Sequence, residues 1–454
     1  MSTQVKFKLL SGKAIIFTVL ILLFLINLSF AQSGWYHVFS DTNAGFGLGG
    51  IYFTSANTGY AVGSKLINSI LYPRVVKTTN AGGTWNYLDT PLKDSADMYL
   101  RWVFFTDENT GFITSAQNKS PIYENGKILK TTNAGINWSV YTPSVNKHLT
   151  EIFFVNSLTG FVTGYHTILK TTNAGSSWEL SLDAPAGGYL FDIYFLNINT
   201  GFVVGNYSWI YKTTNSGNSW TQMQPQGYNQ PLWGVWFINN NTGFVVGGDA
   251  NNTGNNKIFK TTDSGNNWDS VIHPLARGAL FLIRFFNSDT GYIPGYDRLL
   301  KTTDGGLNWF NQNLPIPEFG ANGIFLINAT TGYIAGMIQS PYRVGYILKT
   351  TTGGEPTGIK PVSNEVPTKF ELEQNYPNPF NSMTSIKFKV TSSKFVKLNV
   401  FDLLGKEVTT LVNEKLQPGI YEVSFDAGNL PSGTYFYKLT AGEFTDTKRM
   451  ILIK

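Results

Sequence analysis

The pattern T-x-[ND]-x-G-x-x-W occurs six times in this chain and constrains its fold more than any other feature. The tryptophans of these boxes are 53, 40, 42, 48 and 41 residues apart, at Trp85, Trp138, Trp178, Trp220, Trp268 and Trp309. A second motif, T-G-[YF], occurs seven times, with a β-branched residue eight positions before each glycine, as Ile51 precedes Gly59. Internal repeats of this length indicate one structural unit that is copied along the chain.

Each repeat contains four short strand patterns. The first follows the β-branched residue, as in Ile51-Tyr52-Phe53; the second follows T-G-[YF], the third is of the "ILKTT" type, and the fourth begins at the box tryptophan. An aromatic content of 15% and 46 glycines suit strands and tight turns. Four-stranded repeats of about 40 to 50 residues are typical of β-propeller blades. We therefore predict an all-β, seven-bladed propeller.

The seventh repeat is split between the two ends of this region. Its box ends at Gly354, and Thr357 stands where the tryptophan should be. Trp35 lies 16 residues before Ile51, close to the spacing that the complete boxes keep to the next β-branched residue. The sequence therefore predicts that the N-terminal strand completes the seventh blade and closes the ring, which removes an exposed sheet edge.

The variable acidic position of the box indicates a structural role. Asn fills it in four copies and Asp in two, and an amide cannot replace a proton donor or a charged metal ligand, although either side chain can fix a tight turn through its oxygen. The predicted structural residues are Asn80, Trp85, Asn133, Trp138, Asn173, Trp178, Asn215, Trp220, Asp263, Trp268, Asp304 and Trp309. A lysine recurs once per blade, from Lys77 to Lys349, and is expected at a solvated outer position that discourages edge pairing.

These boxes resemble the Asp-box, or bacterial neuraminidase repeat. The longer unit, from I-x-F through T-G-[YF] to K-T-T-[ND]-x-G-x-x-W, is similar to the propellers of the photosystem II stability and assembly factor type. The resemblance covers about Gln32 to Gly354. It implies a fold and no particular activity, since Asp-boxes also occur in sialidases, xyloglucanases and sorting receptors.

The N-terminus is predicted to be a secretory signal peptide, residues 1–31. Lys6, Lys8 and Lys13 precede an apolar run, and Ser29-Phe30-Ala31 offers a small-residue cleavage site. Its removal leaves no expected transmembrane segment and lowers the net charge from +5 to about +2, which gives no reason to expect nucleic-acid binding. The chain has no cysteine, so no disulfide stabilises it.

A second domain follows the propeller region, residues 32–352. Residues 353–369 have the composition of a linker, and alternating segments in residues 370–454, such as "SIKFKV", predict a small antiparallel β-sandwich. "LEQNYPNPFN", "VFDLLGKEVTTLV" and "GTYFYKLTAGEFTDTKRMILIK" closely resemble the type A C-terminal sorting domain of the type IX secretion system. This resemblance implies as partners the secretion machinery and a surface sortase, and a secreted or cell-surface location in a Gram-negative cell.

Loops at one end of a propeller usually form its ligand face. The candidate binding residues there are Arg74, Arg101, Tyr207, Trp209, Trp233, Asp297, Arg298 and Arg343, which suit stacking on sugars and pairing with carboxylates. The predicted function is that of a binding or scaffold module whose ligand, a glycan or a protein, is not identified by the sequence. The alternative is a sialidase- or xyloglucanase-like glycoside hydrolase, for which Glu151, Asp192 or Asp297 could supply carboxylates. No catalytic residue, metal site or cofactor is predicted.

Overall fold

The computed structural model describes residues 34–41, 45–117, 124–185, 187–249, 256–274, 278–312, 314–338, 343–354, 359–363, 366–381, 383–427 and 430–453. The predicted signal peptide lies outside these residues. The chain divides into two compact units at residues 355 and 356. Strands dominate both, and a single 3-10 turn, Asn206–Ser208, is the one helical element among the described residues.

The first unit contains seven four-stranded antiparallel sheets in the described residues, which are the blades of a β-propeller. Blade 1 consists of β2 (Phe46–Phe53), β3 (Gly59–Ile67), β4 (Ile70–Thr78) and β5 (Asn86–Leu88). Blade 2 consists of β6 (Met98–Phe105), β7 (Gly111–Gln117), β8 (Ile128–Thr131) and β9 (Ser139–Tyr141). Blade 3 consists of β10 (Leu149–Phe154), β11 (Gly160–Gly164), β12 (Thr167–Thr171) and β13 (Glu179–Asp183). Each blade runs through its strands in chain order.

Blades 4 to 6 repeat this arrangement. Blade 4 consists of β14 (Leu190–Phe195), β15 (Gly201–Gly205), β16 (Ile210–Thr213) and β17 (Thr221–Met223). Blade 5 consists of β18 (Leu232–Phe237), β19 (Gly243–Gly247), β20 (Lys257–Thr261) and β21 (Asp269–Val271). Blade 6 consists of β22 (Arg284–Phe285), β23 (Gly291–Gly295), β24 (Arg298–Thr302) and β25 (Phe310–Gln312).

The remaining blade combines strands from both ends of the unit. Strands β26 (Phe319–Leu326), β27 (Gly332–Ile338) and β28 (Val344–Gly354) are joined by β1 (Gly34–Asp41), which pairs antiparallel to β28 from Gly34 opposite Gly354 to Asp41 opposite Gly345. Trp35 is thereby brought beside Gly354, the box glycine of this blade. A Cβ atom at Gly354 would lie only 2.4 Å from the indole nitrogen, so the indole leaves no room for a side chain there.

The hydrophobic core of the propeller lies between the blades. Seven buried clusters each combine residues of two neighbouring blades, and one of them joins Tyr333 of blade 7 to Phe53 and Trp85 of blade 1. There the Phe53 and Tyr333 rings stack at 4.0 Å, and Trp85 meets Phe53 edge-on at 5.9 Å. Gly59 packs under the same Phe53 ring, where a Cβ atom would lie only 2.6 Å from it. The two motifs therefore specify blade-to-blade packing.

The box forms a hydrogen-bonded turn with the same geometry in all six complete copies. In blade 1, Thr78 Oγ1 donates to Asn80 Oδ1 (3.0 Å) and accepts from the Gly82 amide (2.9 Å), while Asn80 Oδ1 accepts from the Thr84 amide (2.9 Å). Gly82 has a φ of +81°, in the region that glycine tolerates best. Asp263 and Asp304 make the equivalent bonds to Thr261 and Thr302. The turn needs a side-chain oxygen at this position and no charge.

The recurrent lysines are not solvated outer residues, so that prediction was wrong. Each ammonium group lies 5.1 to 6.0 Å from the centre of the T-G-[YF] ring of its own blade. Four of them also donate to a carbonyl in the box turn of the next blade: Lys77 to Ala134, Lys130 to Ala174, Lys212 to Ser264 and Lys349 to Ala81. The lysines therefore connect neighbouring blades, including blade 7 to blade 1.

In its described part, the second unit contains two four-stranded antiparallel sheets. One is ordered β29 (Ile359–Ser363), β34 (Gly419–Asp426), β31 (Met383–Val390), β30 (Glu371–Leu372); the other is ordered β33 (Glu407–Leu416), β32 (Lys394–Phe401), β35 (Gly433–Ala441), β36 (Phe444–Leu452). Both contribute to one apolar core, as expected of a sandwich, with Phe388 from the first sheet and Leu398 from the second. Strand β29 lies within residues 353–369, so part of the expected linker is paired in this sheet.

Candidate binding pocket at the centre of the propeller

A cavity of about 360 Å³ lies at the end of the propeller axis where the first strands of the blades begin. All seven blades contribute to its lining, so no single repeat encodes it. The lining includes Leu48, Ser64, Tyr99, Arg101, Trp102, Thr150, Glu151, Phe191, Trp233, Phe281, Leu282, Asn322, Met337 and Arg343. A concave site with aromatic walls and a few convergent polar groups is the usual form of a small-ligand site.

Aromatic rings from blades 4, 5 and 6 form one wall of the cavity. Phe191 and Trp233 stack with ring centres 4.1 Å apart, and Phe281 meets Trp233 edge-on at 6.0 Å. The Trp233 indole donates to the Gly248 carbonyl (2.8 Å), which fixes its ring orientation. All three rings remain partly exposed. This wall offers a flat, preorganised surface for a ring of the ligand.

Two arginines line the same cavity from blades 2 and 7. The Arg101 guanidinium lies 5.8 Å from the centre of the Tyr99 ring, and both Arg101 and Arg343 are half-buried. Asn322 is oriented by donation from Nδ2 to the Leu48 carbonyl (2.8 Å). Guanidinium groups beside an apolar wall favour an anionic or oxygen-rich ligand group.

A buried ion cluster closes the floor of the cavity. Arg284 extends from blade 6 to two carboxyl groups on blades 3 and 4: its Nη2 lies 2.8 Å from Glu151 Oε1, and its Nη1 lies 3.1 Å from Asp192 Oδ2. The side chains of Glu151 and Asp192 are 5% and 1% exposed. Asp192 also accepts from the amides of Ile193 and Val235 at 2.9 and 2.8 Å. Its oxygens are therefore fully engaged, whereas Glu151 also lines the cavity.

The two carboxyl groups of the cluster face a single cation. Burial, followed by the nearby charge of Asp192, raises the pKa of Glu151 well above its ordinary value, and the charge of Arg284 opposes this rise. Two negative charges and one positive charge in a buried site would leave a net charge there, which is costly. Within this cluster Glu151 is therefore a carboxyl group whose pKa is raised, so that it takes up a proton more readily than an ordinary glutamate.

An aromatic collar surrounds this cluster along the axis. Six blades place an aromatic residue directly after the β-branched residue of the first strand: Tyr52, Phe104, Phe153, Tyr194, Trp236 and Phe325. Consecutive rings from Phe325 through Tyr52 to Trp236 lie 4.7 to 6.0 Å apart. Blade 6 has Arg284 at this position, and its guanidinium lies 5.2 Å from the Trp236 ring and 5.7 Å from the Trp102 ring.

The structure brings three of the eight predicted binding residues to the cavity: Arg101, Trp233 and Arg343. The other five lie elsewhere. Arg74 donates to the carbonyls of Pro73 and Lys93 (both 2.7 Å), and Trp209 is 8% exposed in the core between blades 3 and 4. Tyr207 is 48% exposed on the 3-10 turn, Asp297 caps a turn through the Glu318 amide, and Arg298 begins β24 opposite Gly295.

Sequence reasoning named Glu151 and Asp192 as possible carboxylates but missed Arg284. A signal for it was present, because in Ile283-Arg284-Phe285 an arginine replaces the first of the two aromatics that follow the β-branched residue in most repeats. A charged side chain at a position that otherwise lines the propeller axis must find a buried partner. Among the described residues, no group of three His, Asp or Glu side chains is arranged to hold a metal ion.

The comparisons with known proteins match this architecture in two segments. Residues 374–454 match the secretion system C-terminal sorting domain family, and residues 129–273 match the photosynthesis system II assembly factor YCF48 family. The middle of the propeller unit is therefore similar to the YCF48 family, and the C-terminal unit is similar to the sorting domains of the type IX secretion system. No curated protein matches it.

Solved structures resemble the propeller at low sequence identity. YCF48 bound to D1 peptide has a TM-score of 0.55 at 18% identity, covering 72% of this chain and 96% of that chain. YCF48 from Cyanidioschyzon merolae has a TM-score of 0.51 at 13% identity, covering 70% and 98%. PorZ of Porphyromonas gingivalis, described as a surface component of the type IX secretion system, has a TM-score of 0.48 at 12% identity, covering 88% and 58%. The YCF48 structures support the fold of the propeller alone.

The sorting domain gives structural roles to its most recognisable residues. Asn375, in the "QNYPNPF" segment, is 2% exposed; its amide donates to the Tyr437 hydroxyl (2.8 Å), and that hydroxyl donates to the Glu373 carbonyl (2.9 Å). The segment is thereby fixed to β35. Within the described part of the chain, no helix has the length and apolar character needed to cross a membrane.

Proposed function

We propose that this propeller is a glycan-binding module that the type IX secretion system delivers to the cell surface or the medium. The observation that carries the proposal is the central cavity, in which the Phe191–Trp233 pair lies in one lining with Arg101, Arg343 and Asn322. Aromatic faces suit the apolar faces of sugar rings, and the guanidinium and amide groups suit their oxygens.

The sorting domain supports the location. A domain that matches residues 374–454 indicates export by type IX secretion and hence secretion or surface display. We infer further that the signal peptide directs the chain across the inner membrane of a Gram-negative cell, and that a surface sortase acts on the sorting domain. The propeller, residues 32–352, is then the working part of the protein.

A glycoside hydrolase on the same propeller is less well supported by the geometry. Hydrolysis with an acid and a nucleophile or base needs two carboxyl groups that both reach the substrate. Asp192 is buried and bonded to Arg284 and two backbone amides, and only Glu151 lines the cavity. Among the described residues one carboxyl group lines the cavity, and its bond to a guanidinium favours binding over cleavage.

A peptide is the competing ligand class, since one structural neighbour is described as bound to a D1 peptide. The deciding experiment applies purified chain beginning at Gln32 to a broad glycan array and a peptide array, and measures the release of reducing ends. Retention of glycans without cleavage is the expected result. Retention of peptides alone would replace the glycan proposal, and release of reducing ends would restore the hydrolase.

Two variants test whether a retained glycan or peptide binds in the central cavity. Trp233→Ala removes the stacking ring and should abolish retention of the bound glycan. Tyr207→Ala is the matched control, because Tyr207 is an exposed aromatic residue outside the cavity lining. Equal loss in both variants, or no retention of any glycan or peptide, would contradict a binding site in the cavity.

A further inference from the structure

We propose that Glu151 selects the charge of the ligand: with its proton in place the cavity accepts an anionic group beside Arg101 and Arg343, and without it the cavity binds that group less tightly. This inference rests on the proposed function, because it assumes that the ligand occupies the central cavity. It concerns a residue that the binding prediction did not include.

The position of Glu151 makes it the link between the cavity and the ion cluster. Its side chain lines the cavity, and its Oε1 accepts a hydrogen bond from Nη2 of Arg284 at 2.8 Å. Thr163 Oγ1 accepts from the Glu151 amide (3.2 Å), which fixes the backbone at this point. The carboxyl group therefore cannot leave the floor of the cavity without breaking the bond to Arg284.

The charges around Glu151 determine how its ionisation would act on a ligand. With Glu151 protonated, Asp192 and Arg284 balance each other, and Arg101 and Arg343 give the cavity a net positive charge. Loss of the proton adds one negative charge to the lining of a cavity of about 360 Å³ that Glu151 shares with Arg101 and Arg343. Charges at such short range interact strongly when they are shielded from water.

Linkage requires the effect to run in both directions. If an anionic ligand binds better to the protonated form, its binding draws a proton onto Glu151, and its affinity falls as the pH rises through the pKa of Glu151. Burial and Asp192 raise that pKa, so the change in affinity lies at higher pH than the ionisation of an ordinary carboxyl group. For one added charge at this range, we expect a loss in affinity of roughly tenfold.

Other ionisable groups near Glu151 have to be separated from it. Asp192 and Arg284 are its direct partners, Tyr194 interacts with Arg284, and Arg101 and Arg343 line the cavity. His148 lies on the same strand region, and its pKa is lowered by burial, with a smaller contribution from Arg101. His148 therefore gains its charge at lower pH than an ordinary histidine.

The test uses benzoate and benzamide, which share a flat ring and differ in charge. Binding to the chain beginning at Gln32 is measured by ligand-observed NMR between about pH 5.5 and about pH 9.5 at constant ionic strength, a range in which benzoate stays ionised. Wild-type protein is expected to lose roughly tenfold in benzoate affinity across this range and to keep its affinity for benzamide. Glu151→Gln should hold benzoate affinity at the low-pH value throughout.

A second measurement does not depend on any variant. Calorimetry of wild-type protein in two buffers with different ionisation enthalpies should show proton uptake with benzoate and none with benzamide. Arg101→Gln should lower benzoate affinity at every pH and leave benzamide unchanged.

The outcomes separate this inference from the proposed function. Binding of both probes with the same pH dependence, or a benzoate profile that persists in Glu151→Gln, would overturn the role of Glu151 and leave the cavity as a binding site. If neither probe binds, the role of Glu151 in selecting ligand charge is overturned, whereas the glycan array and Trp233→Ala still decide the proposed function.

Discussion

Nη2 of Arg284 lies 2.8 Å from Oε1 of Glu151, although the two residues are 133 positions apart in the chain and belong to blades 6 and 3. This bond spans the propeller axis, which the aromatic collar lines. It explains how a carboxyl group can lie in a buried position and still contribute to a cavity. It also makes the stability of the propeller depend on pH.

Because of Glu151, the free energy of unfolding of the propeller should fall as the pH rises. Its pKa is raised in the folded chain, so that the folded state keeps a proton that the unfolded state has already released. Its contribution is complete below about pH 4.3, the ordinary glutamate pKa, and is lost as the pH rises through the folded-state pKa. Glu151→Gln should remove this decline, as measured by urea unfolding at a series of pH values. Glu179→Gln, an exposed residue on β13, is the control and should leave the wild-type profile unchanged.

Arg284→Met should destabilise the propeller strongly. The substitution keeps much of the side-chain volume but leaves Glu151 and Asp192 without their cation, and breaking one side of a buried ion pair costs about 3–5 kcal/mol. Urea unfolding of the variant would measure this loss. The triple variant that adds Glu151→Gln and Asp192→Asn should recover part of it, because no buried charge is then unpaired. A single variant as stable as wild type would show that the cluster contributes nothing to the fold.

The repeats could be predicted well because their residues specify local and pairwise packing. The box threonine, the Asn or Asp and the glycine make a turn whose bonds lie within five residues, so the pattern carries the geometry. The same is true of Gly59, which leaves room for the Phe53 ring. Such features follow from spacing and side-chain chemistry alone.

The lining of the central cavity was harder to predict from the sequence because it is assembled from all seven blades. Arg101, Trp233 and Arg343 are 110 or more residues apart in sequence, and which loops converge depends on where each first strand begins. The lysines show the same difficulty. Lys77 has a solvated outer position in an isolated blade, and only the neighbouring blade supplies the Ala134 carbonyl that it binds.

Trp35→Ala should cost about 3–5 kcal/mol of stability, the usual range for removing a large buried aromatic residue. Trp35 is 1% exposed, lies against Gly354 of blade 7 and meets the Tyr292 ring of blade 6 edge-on at 6.2 Å, so it packs β1 against both blades. Deletion of Gln32–Ser40 should be more damaging. Thermal unfolding checks both, with Tyr36→Ala as the control, since that neighbouring ring is 44% exposed. An unchanged melting temperature after the deletion would contradict a stabilising role for β1.

Lys77→Met should lower stability by about 1–2 kcal/mol, because it removes the hydrogen bond to the Ala134 carbonyl of the next blade and the contact with the Tyr60 ring. The apolar part of the side chain is kept, so the loss reports the ammonium group. Lys257→Met, on β20 where the lysine is exposed, should change stability by much less. Chemical unfolding of both variants makes the comparison, and equal effects would favour a general charge effect over a bond between blades.

Asp263→Asn should preserve the box turn near neutral pH, since Asn makes the same bonds in four other blades. Hydrogen bonds from the Asn267 amide and side chain, and then from Thr261, lower the pKa of Asp263 to about 2. A lowered carboxyl pKa stabilises the folded state above the ordinary value of about 3.9 and loses that contribution as the pH falls toward the folded value. The variant should therefore match wild type near neutrality and show a smaller loss of melting temperature in acid.

Thr261→Ala removes the hydroxyl that bonds both Asp263 and the Gly265 amide and should lower the melting temperature at every pH. If Asp263→Asn were as damaging as Thr261→Ala near neutrality, the charge of this residue would have a role that the turn does not require.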